Sequence, residues 1–181
     1  MAKKDSAFSM LELLVVLLIM GVIAAAALPN AINFLKVYRL HADASGIASQ
    51  LNVVRFRAAS QYTPYSLHFD TSANTFTMNR LDTAYSNPSA EVGPLPLSLG
   101  ISFLTADPVT PTPATVSGTN ASTDIYFNTR GLPVTSAGVP TNNSVVYLKN
   151  TNNVYDAVTV SLGGASTVWN YSAGSGTWIA R

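Results

Sequence analysis

Residues 8–28 read FSMLELLVVLLIMGVIAAAAL, apolar at nearly every position, with Glu12 the one charge. A helix that is apolar all round has no face for water, so apolar matter must surround it. Twenty-one residues at ~1.5 Å rise cover ~30 Å, the thickness of a bilayer's hydrocarbon core. After Pro29 the pattern changes. Leu40, Ala44, Ile47, Leu51, Val54 and Ala58 recur every three or four residues, while Arg39, Asp43, Gln50, Asn52, Arg55 and Arg57 lie largely off that stripe. That period predicts a helix with one apolar face. Together the two patterns predict one helix over about 8–60, ~75 Å long at the same rise. Its first half suits lipid or other helices, and its second half suits packing on the rest of the chain. Pro29 removes a backbone hydrogen bond and crowds the preceding turn, so it either bounds the membrane helix or kinks it.

From Tyr62 the period drops to two. Residues 65–69 and 75–78 read as a hairpin around 70–74. A polar stretch over 82–122 holds Pro88, Pro94, Pro96, Pro108, Pro111 and Pro113, and reads as surface loops around one strand at 95–104. Further strands are predicted at 125–128, 144–149, 155–162, 167–171 and 176–180. Gly131, Gly138, Asn142-Asn143, Asn152-Asn153 and Gly163-Gly164 mark turns between them. The fold class is therefore α+β: a long N-terminal membrane-spanning helix, kinked near Pro29, continuing as an amphipathic helix on an antiparallel β head. The domains are a leader at 1–7, an apolar helix at 8–28, its amphipathic continuation at 29–60 and the head at 61–181.

Charge narrows the function. The chain has ten basic and nine acidic side chains, and losing Lys3, Lys4 and Asp5 with the leader leaves eight of each. A neutral remainder argues against nucleic-acid binding by bulk charge. There is no cysteine, which excludes disulfides, thiolate metal sites and a cysteine nucleophile. Lys3 and Lys4 ahead of the apolar run favour a cytoplasmic N-terminus, with everything after the helix outside. The run itself has three readings: a cleaved secretory signal ending in Ala24–Ala27, a plain membrane anchor, or a segment cut ahead of the run and kept. A carboxylate in hydrocarbon costs ~2.5–3.5 kcal/mol on insertion scales. Neither of the first two readings needs Glu12. A helix that must pair its carboxylate does.

The run Ala7-Phe8-Ser9-Met10-Leu11-Glu12-Leu13-Leu14-Val15-Val16 resembles the cleavage and methylation motif of type IV prepilins and type II secretion pseudopilins. The resemblance implies a cut between Ala7 and Phe8 by a prepilin peptidase, N-methylation of Phe8, and assembly through Glu12. Glu12 is fifth counting from Phe8, and Pro29 and Gly21 fall where such helices carry a kink-forming proline and a glycine. The departure is Ala7 where the family usually has Gly. More weakly, Phe127-Asn128-Thr129-Arg130-Gly131 followed by strands at 145–148 and 158–163 is similar to the GspH/FimT-type head. The family resemblance implies a minor pseudopilin of a type II secretion pseudopilus or a minor pilin of a type IV pilus. Such a protein sits in the bacterial inner membrane by a single pass, with its C-terminal domain periplasmic or extracellular. Its partners would be the peptidase, other subunits, inner-membrane lipid and assembly-platform proteins. Two alternatives stay open: a FimT-like DNA-binding minor pilin using Arg130, Lys149 and Arg181, and a β domain released by an ordinary signal peptidase.

No cofactor, metal or catalytic residue is expected. His41 and His68 have no acidic or hydroxyl partner at a suggestive local spacing, and Asp107, Asp124 and Asp156 are too scattered for a calcium site. Gly163-Gly164 and Gly174-Ser175-Gly176 lack the lysine and following helix of a phosphate loop. Arg55 and Arg57 read as a solvated face or a phosphate site. Trp169, Tyr171 and Trp178 read as strand packing.

Overall fold

The structure, a computed structural model, describes residues 10–109, 113, 121–142 and 144–181. The leader 1–7, Lys3, Lys4, Ala7, Phe8, Pro111 and Asn143 lie outside the described residues. The chain forms two compact units, Met1–Leu35 and Lys36–Arg181.

A single helix, α1 (Met10–Gln61), runs from the first unit into the second. Pro29 lies inside it and does not end it. In the first unit every described residue is exposed, including Leu13, Leu17, Ile19, Val22 and Ile23. This stretch is long and apolar enough to cross a membrane.

In the second unit α1 obeys its predicted stripe. Leu40, Ala44, Ile47, Leu51, Val54 and Ala58 are all buried, with Ala48 beside them. They pack against two five-stranded antiparallel sheets. The first has the order β3-β2-β1-β5-β6, from β1 (Tyr65–Asp70), β2 (Thr75–Arg80), β3 (Ser89–Pro96), β5 (Asp124–Phe127) and β6 (Pro133–Val134). The second has the order β10-β9-β8-β7-β4, from β4 (Ile101–Leu104), β7 (Ser144–Asn150), β8 (Tyr155–Val160), β9 (Ser166–Ser172) and β10 (Thr177–Ala180). Alternation along the strands sends Tyr65, Leu67, Phe69 and Phe127 from one sheet, and Val146, Leu148, Val158 and Val160 from the other, into one core with the α1 stripe. Phe69 and Phe103 meet edge-on across it, ring centroids 5.4 Å apart.

The back of the second sheet carries a smaller cluster of Val145, Tyr147, Ala157, Trp169 and Trp178. Trp178 stacks at an angle against Tyr147 and edge-on against Tyr171, with centroids 5.9 and 5.5 Å away. The expectation that these aromatics serve strand packing therefore holds.

One strand expectation fails. Residues 95–104 are not a single strand: β3 ends at Pro96, the chain turns at Leu99-Gly100, and β4 begins at Ile101 in the other sheet. Of the loop expected ahead of it, 82–88 is loop and 89–94 belongs to β3. Prolines are tolerated there because β3 is an edge strand, with β2 its one ladder partner among the described residues. Its ladder is irregular between Phe76 and Asn79. Gly93 (φ 113°) lies there so close to β2 that a Cβ would come within 2.8 Å of the Phe76 carbonyl.

Truncating the stripe should cost far more than truncating the exposed side of the same helix. Leu51→Ala is expected to lower unfolding stability by about 2–5 kcal/mol, and Ser45→Ala, on the exposed face, by less than about 0.5 kcal/mol. Denaturant unfolding followed by tryptophan fluorescence tests this. Equal losses would refute the assignment of the buried face.

Candidate functional site

The N-terminal candidate is a single charge on an apolar rod. Glu12 stands in the first described turn of α1, exposed among the exposed Leu11, Leu13 and Leu14. Hydrocarbon opposes such a charge, so a cationic partner is what this carboxylate would need in a membrane. Gly21 is inside the continuous helix, and a Cβ there would meet nothing within 4 Å.

In the head, both histidines acquire acidic partners that local spacing did not reveal. His41 Nδ1 lies 2.6 Å from Asp156 Oδ2, and Asn170 Nδ2 donates to Asp156 Oδ1 at 2.6 Å. Asp156 is fully buried. Removing either partner would strand a charge or an acceptor away from water, which makes this a fastening of α1 to β8 and β9. His68 Nδ1 lies 2.9 Å from Asp124 Oδ1, at the β1–β5 pairing of the same two residues. This pair lines a cavity of about 250 Å³ on the back of the first sheet with Ser66, Asn79, Tyr85 and Tyr126. The partners are 115 and 56 residues away in sequence, so no local motif could announce them.

Other polar ties flank the α1 stripe. Asp43 accepts from the Ser98 amide and hydroxyl, both at 2.8 Å. Arg57 donates to Glu91 at 2.9 Å, and Glu91 also accepts from the Tyr65 hydroxyl at 2.8 Å. Burial, and then that bond to Glu91, push the Tyr65 hydroxyl above its usual range. Arg57 is therefore an ion-pair partner rather than a free phosphate ligand. Arg55 crosses the β5–β6 and β8–β9 turns. A Cβ on Gly164 would lie 2.8 Å from its Nε, and one on Gly131 3.1 Å from its Cγ. Both glycines have positive φ, 79° and 71°, so these turns need glycine twice over, for backbone and for space.

The three proposed DNA contacts stand on separate elements. Arg130 is exposed in the β5–β6 turn and shares a groove with Arg55. Lys149 is in β7 between Ser102 and Tyr155 on the neighbouring strands. Arg181 follows β10 at the sheet edge, its amide bonded to the Val168 carbonyl. Among the described residues no three His, Cys, Asp or Glu side chains gather as a metal site.

The carboxylates give the head opposed pH responses. Asp82 is held below the usual range by the Ser86 amide and hydroxyl, then by Asn87 and the Ala84 amide. The folded state thus binds its proton less tightly than the unfolded chain, so its contribution is present above ~3.9 and lost as pH falls through the folded value. Asp107 is shifted upward by burial, against a bond from the Val109 amide. Its sign is reversed: its contribution is full at low pH and declines as pH rises through the folded value. Asp82→Asn is expected to flatten the fall of the unfolding midpoint between about pH 5 and pH 2. An unchanged slope in unfolding scans would show that Asp82 does not shape it.

A family model described as the prokaryotic N-terminal methylation motif matches residues 2–28. No curated relative matches the sequence. Two solved structures of the minor pseudopilin EpsH from the type 2 secretion system of Vibrio cholerae are similar to the chain. One is 12% identical, with 74% of this chain and 94% of that chain covered and a TM-score of 0.49. The other is 10% identical, with 79% and 96% covered and a TM-score of 0.39.

Proposed function

We propose that this chain is a structural subunit of a membrane-assembled filament, a minor pseudopilin or minor pilin, rather than an enzyme. The observation that carries this reading is the methylation motif over residues 2–28. It opens a helix whose first unit is wholly exposed and whose second unit is built into a β head. A prepilin peptidase cuts between Ala7 and Phe8 and methylates the new amine. The membrane-spanning segment then holds the subunit in the bacterial inner membrane, head outward, until assembly-platform proteins pass it into the filament.

In the filament the exposed apolar surface of α1 is covered by the helices of neighbouring subunits. Glu12 sets their register, because the methylated amine of a neighbour is a cation that can neutralise it. Leaving either charge unpaired in hydrocarbon is costly, so the pairing selects one alignment of helices that are otherwise uniformly greasy. Gly21 serves close approach between helices, as small residues do at helix interfaces in membranes. Pro29 lacks the amide that would bond back along α1, which lets the helix loosen there during packing.

Two measurements test the reading. Mass spectrometry of the mature protein should find N-methyl-Phe8 as the first residue; Leu28 in that place would indicate an ordinary signal peptide. Glu12→Ala should leave membrane levels unchanged and lower incorporation into sheared filaments by roughly tenfold or more, the factor that ~1.4 kcal/mol represents. Incorporation at the native level would refute the pairing.

A further inference from the structure

The head treats its two signs of charge differently. It contains seven acids, Asp43, Asp70, Asp82, Glu91, Asp107, Asp124 and Asp156. Each accepts at least one hydrogen bond from within the head. Among the described Lys and Arg side chains, Arg57 is the one paired with a carboxylate. Lys36 reaches only the neutral amide of Asn152. The formal balance is near neutral, yet every head acid is locally engaged, whereas among the described arginines Arg57 is the one in an ion pair.

Two of those arginines converge. Arg55 of α1 and Arg130 of the β5–β6 turn line one open groove of about 360 Å³ with Asn52, Phe56 and Ala59. Phe56 is 72% exposed, a large apolar ring in water beside two guanidinium groups. The stem of Arg55 runs between the Gly131 and Gly164 turns, where a Cβ would come within 3.1 Å of its Cγ and 2.8 Å of its Nε. Its position is therefore built into the fold before anything binds, which lowers the entropy lost on binding.

We infer that the Arg55–Arg130 groove is a docking site for an acidic side chain of a second protein, with Phe56 as the apolar anchor beside it. A guanidinium offers paired donors that match a carboxylate, and arginine and aromatic side chains are both enriched at protein interfaces. Charge complementarity selects an acidic occupant. A second copy of this chain is disfavoured, since its head acids are already engaged internally. A nucleic acid is disfavoured as well, because Lys149 and Arg181 stand in the other sheet and do not extend the groove into a basic track. The inference does not depend on the filament role, since any acidic protein partner would satisfy it.

The test uses the full-length protein in its own envelope, with Phe56 replaced by the photoreactive analogue p-benzoyl-phenylalanine. Irradiation should yield a protein adduct whose attachment point lies within a few residues of an Asp or Glu. Arg130→Glu should lower its yield at least tenfold while leaving accumulation and the unfolding midpoint unchanged, because Arg130 is exposed in a turn. Changing the mapped acid to Lys in that background should restore the adduct. No adduct, an adduct with lipid or nucleic acid, a yield indifferent to Arg130→Glu, or no restoration would each overturn the inference. The N-terminal residue read in the same sample reports the filament role separately.

Discussion

The head depends on burying one stripe of α1 between two sheets. Neither sheet could be stable in isolation with that much apolar surface on one face, and the helix from Lys36 onward has no other partner for Leu40, Ile47, Leu51 and Val54. Each such side chain contributes about 1.5–3 kcal/mol when taken from water. Burial alone leaves the helix free to slide or rotate, since apolar contact is non-directional. Direction comes from the polar ties along its flanks. His41 reaches the buried Asp156, Asp43 holds the Ser98 corner, and Arg57 meets Glu91 on the edge strand. They lie on both sheets, so they fix the angle of the helix about its own axis as well as its register.

The first unit has the opposite problem. Its helix is apolar on all sides, and the core of the head is built without it. Propensity and backbone bonding make it a helix, but water could not keep it dispersed. A bilayer satisfies that surface, and a bundle of like helices satisfies it equally. In the proposed filament role Glu12 would distinguish the two settings, because lipid tails offer no cation and a bundle of cut N-termini would. A chain of that kind would move from one environment to the other without refolding its head.

Much of this was legible in the sequence, and the reasons are specific. The α1 stripe announced itself because helical period survives whatever it packs against, and every residue named in it is buried. Strands were equally plain, 65–69 from its alternation and 144–149 from its short apolar run between turn residues. The split of 95–104 was not, because an apolar run shows no boundary where a chain leaves one sheet for the other. Nor was β3 legible, since prolines forbid a central strand while an edge strand accepts them. The histidine partners were invisible for a different reason: strand pairing and helix docking join residues 56 and 115 positions apart, and nothing in the local spacing encodes that. Gly131 and Gly164 were readable as turns, but not as the two walls that position Arg55.

Glycine is used in two different ways along this chain. At Gly131 and Gly164 it is demanded from within: both have positive φ, and a Cβ would crowd Arg55 and, at Gly164, the Gly131 carbonyl. In the helix the demand is absent. Gly21 and Gly46 both sit in regular helix, and a Cβ on either would meet no atom within 4 Å. A mid-helix glycine costs about 1 kcal/mol relative to alanine, and at neither site does the fold of the single chain offer a compensating contact. Close packing against something outside the chain does offer one, since removing the Cβ lets another backbone approach. The two positions lie in different units, one in the apolar stretch and one on the exposed side of the amphipathic stretch. At neither position does packing within the described chain account for the glycine.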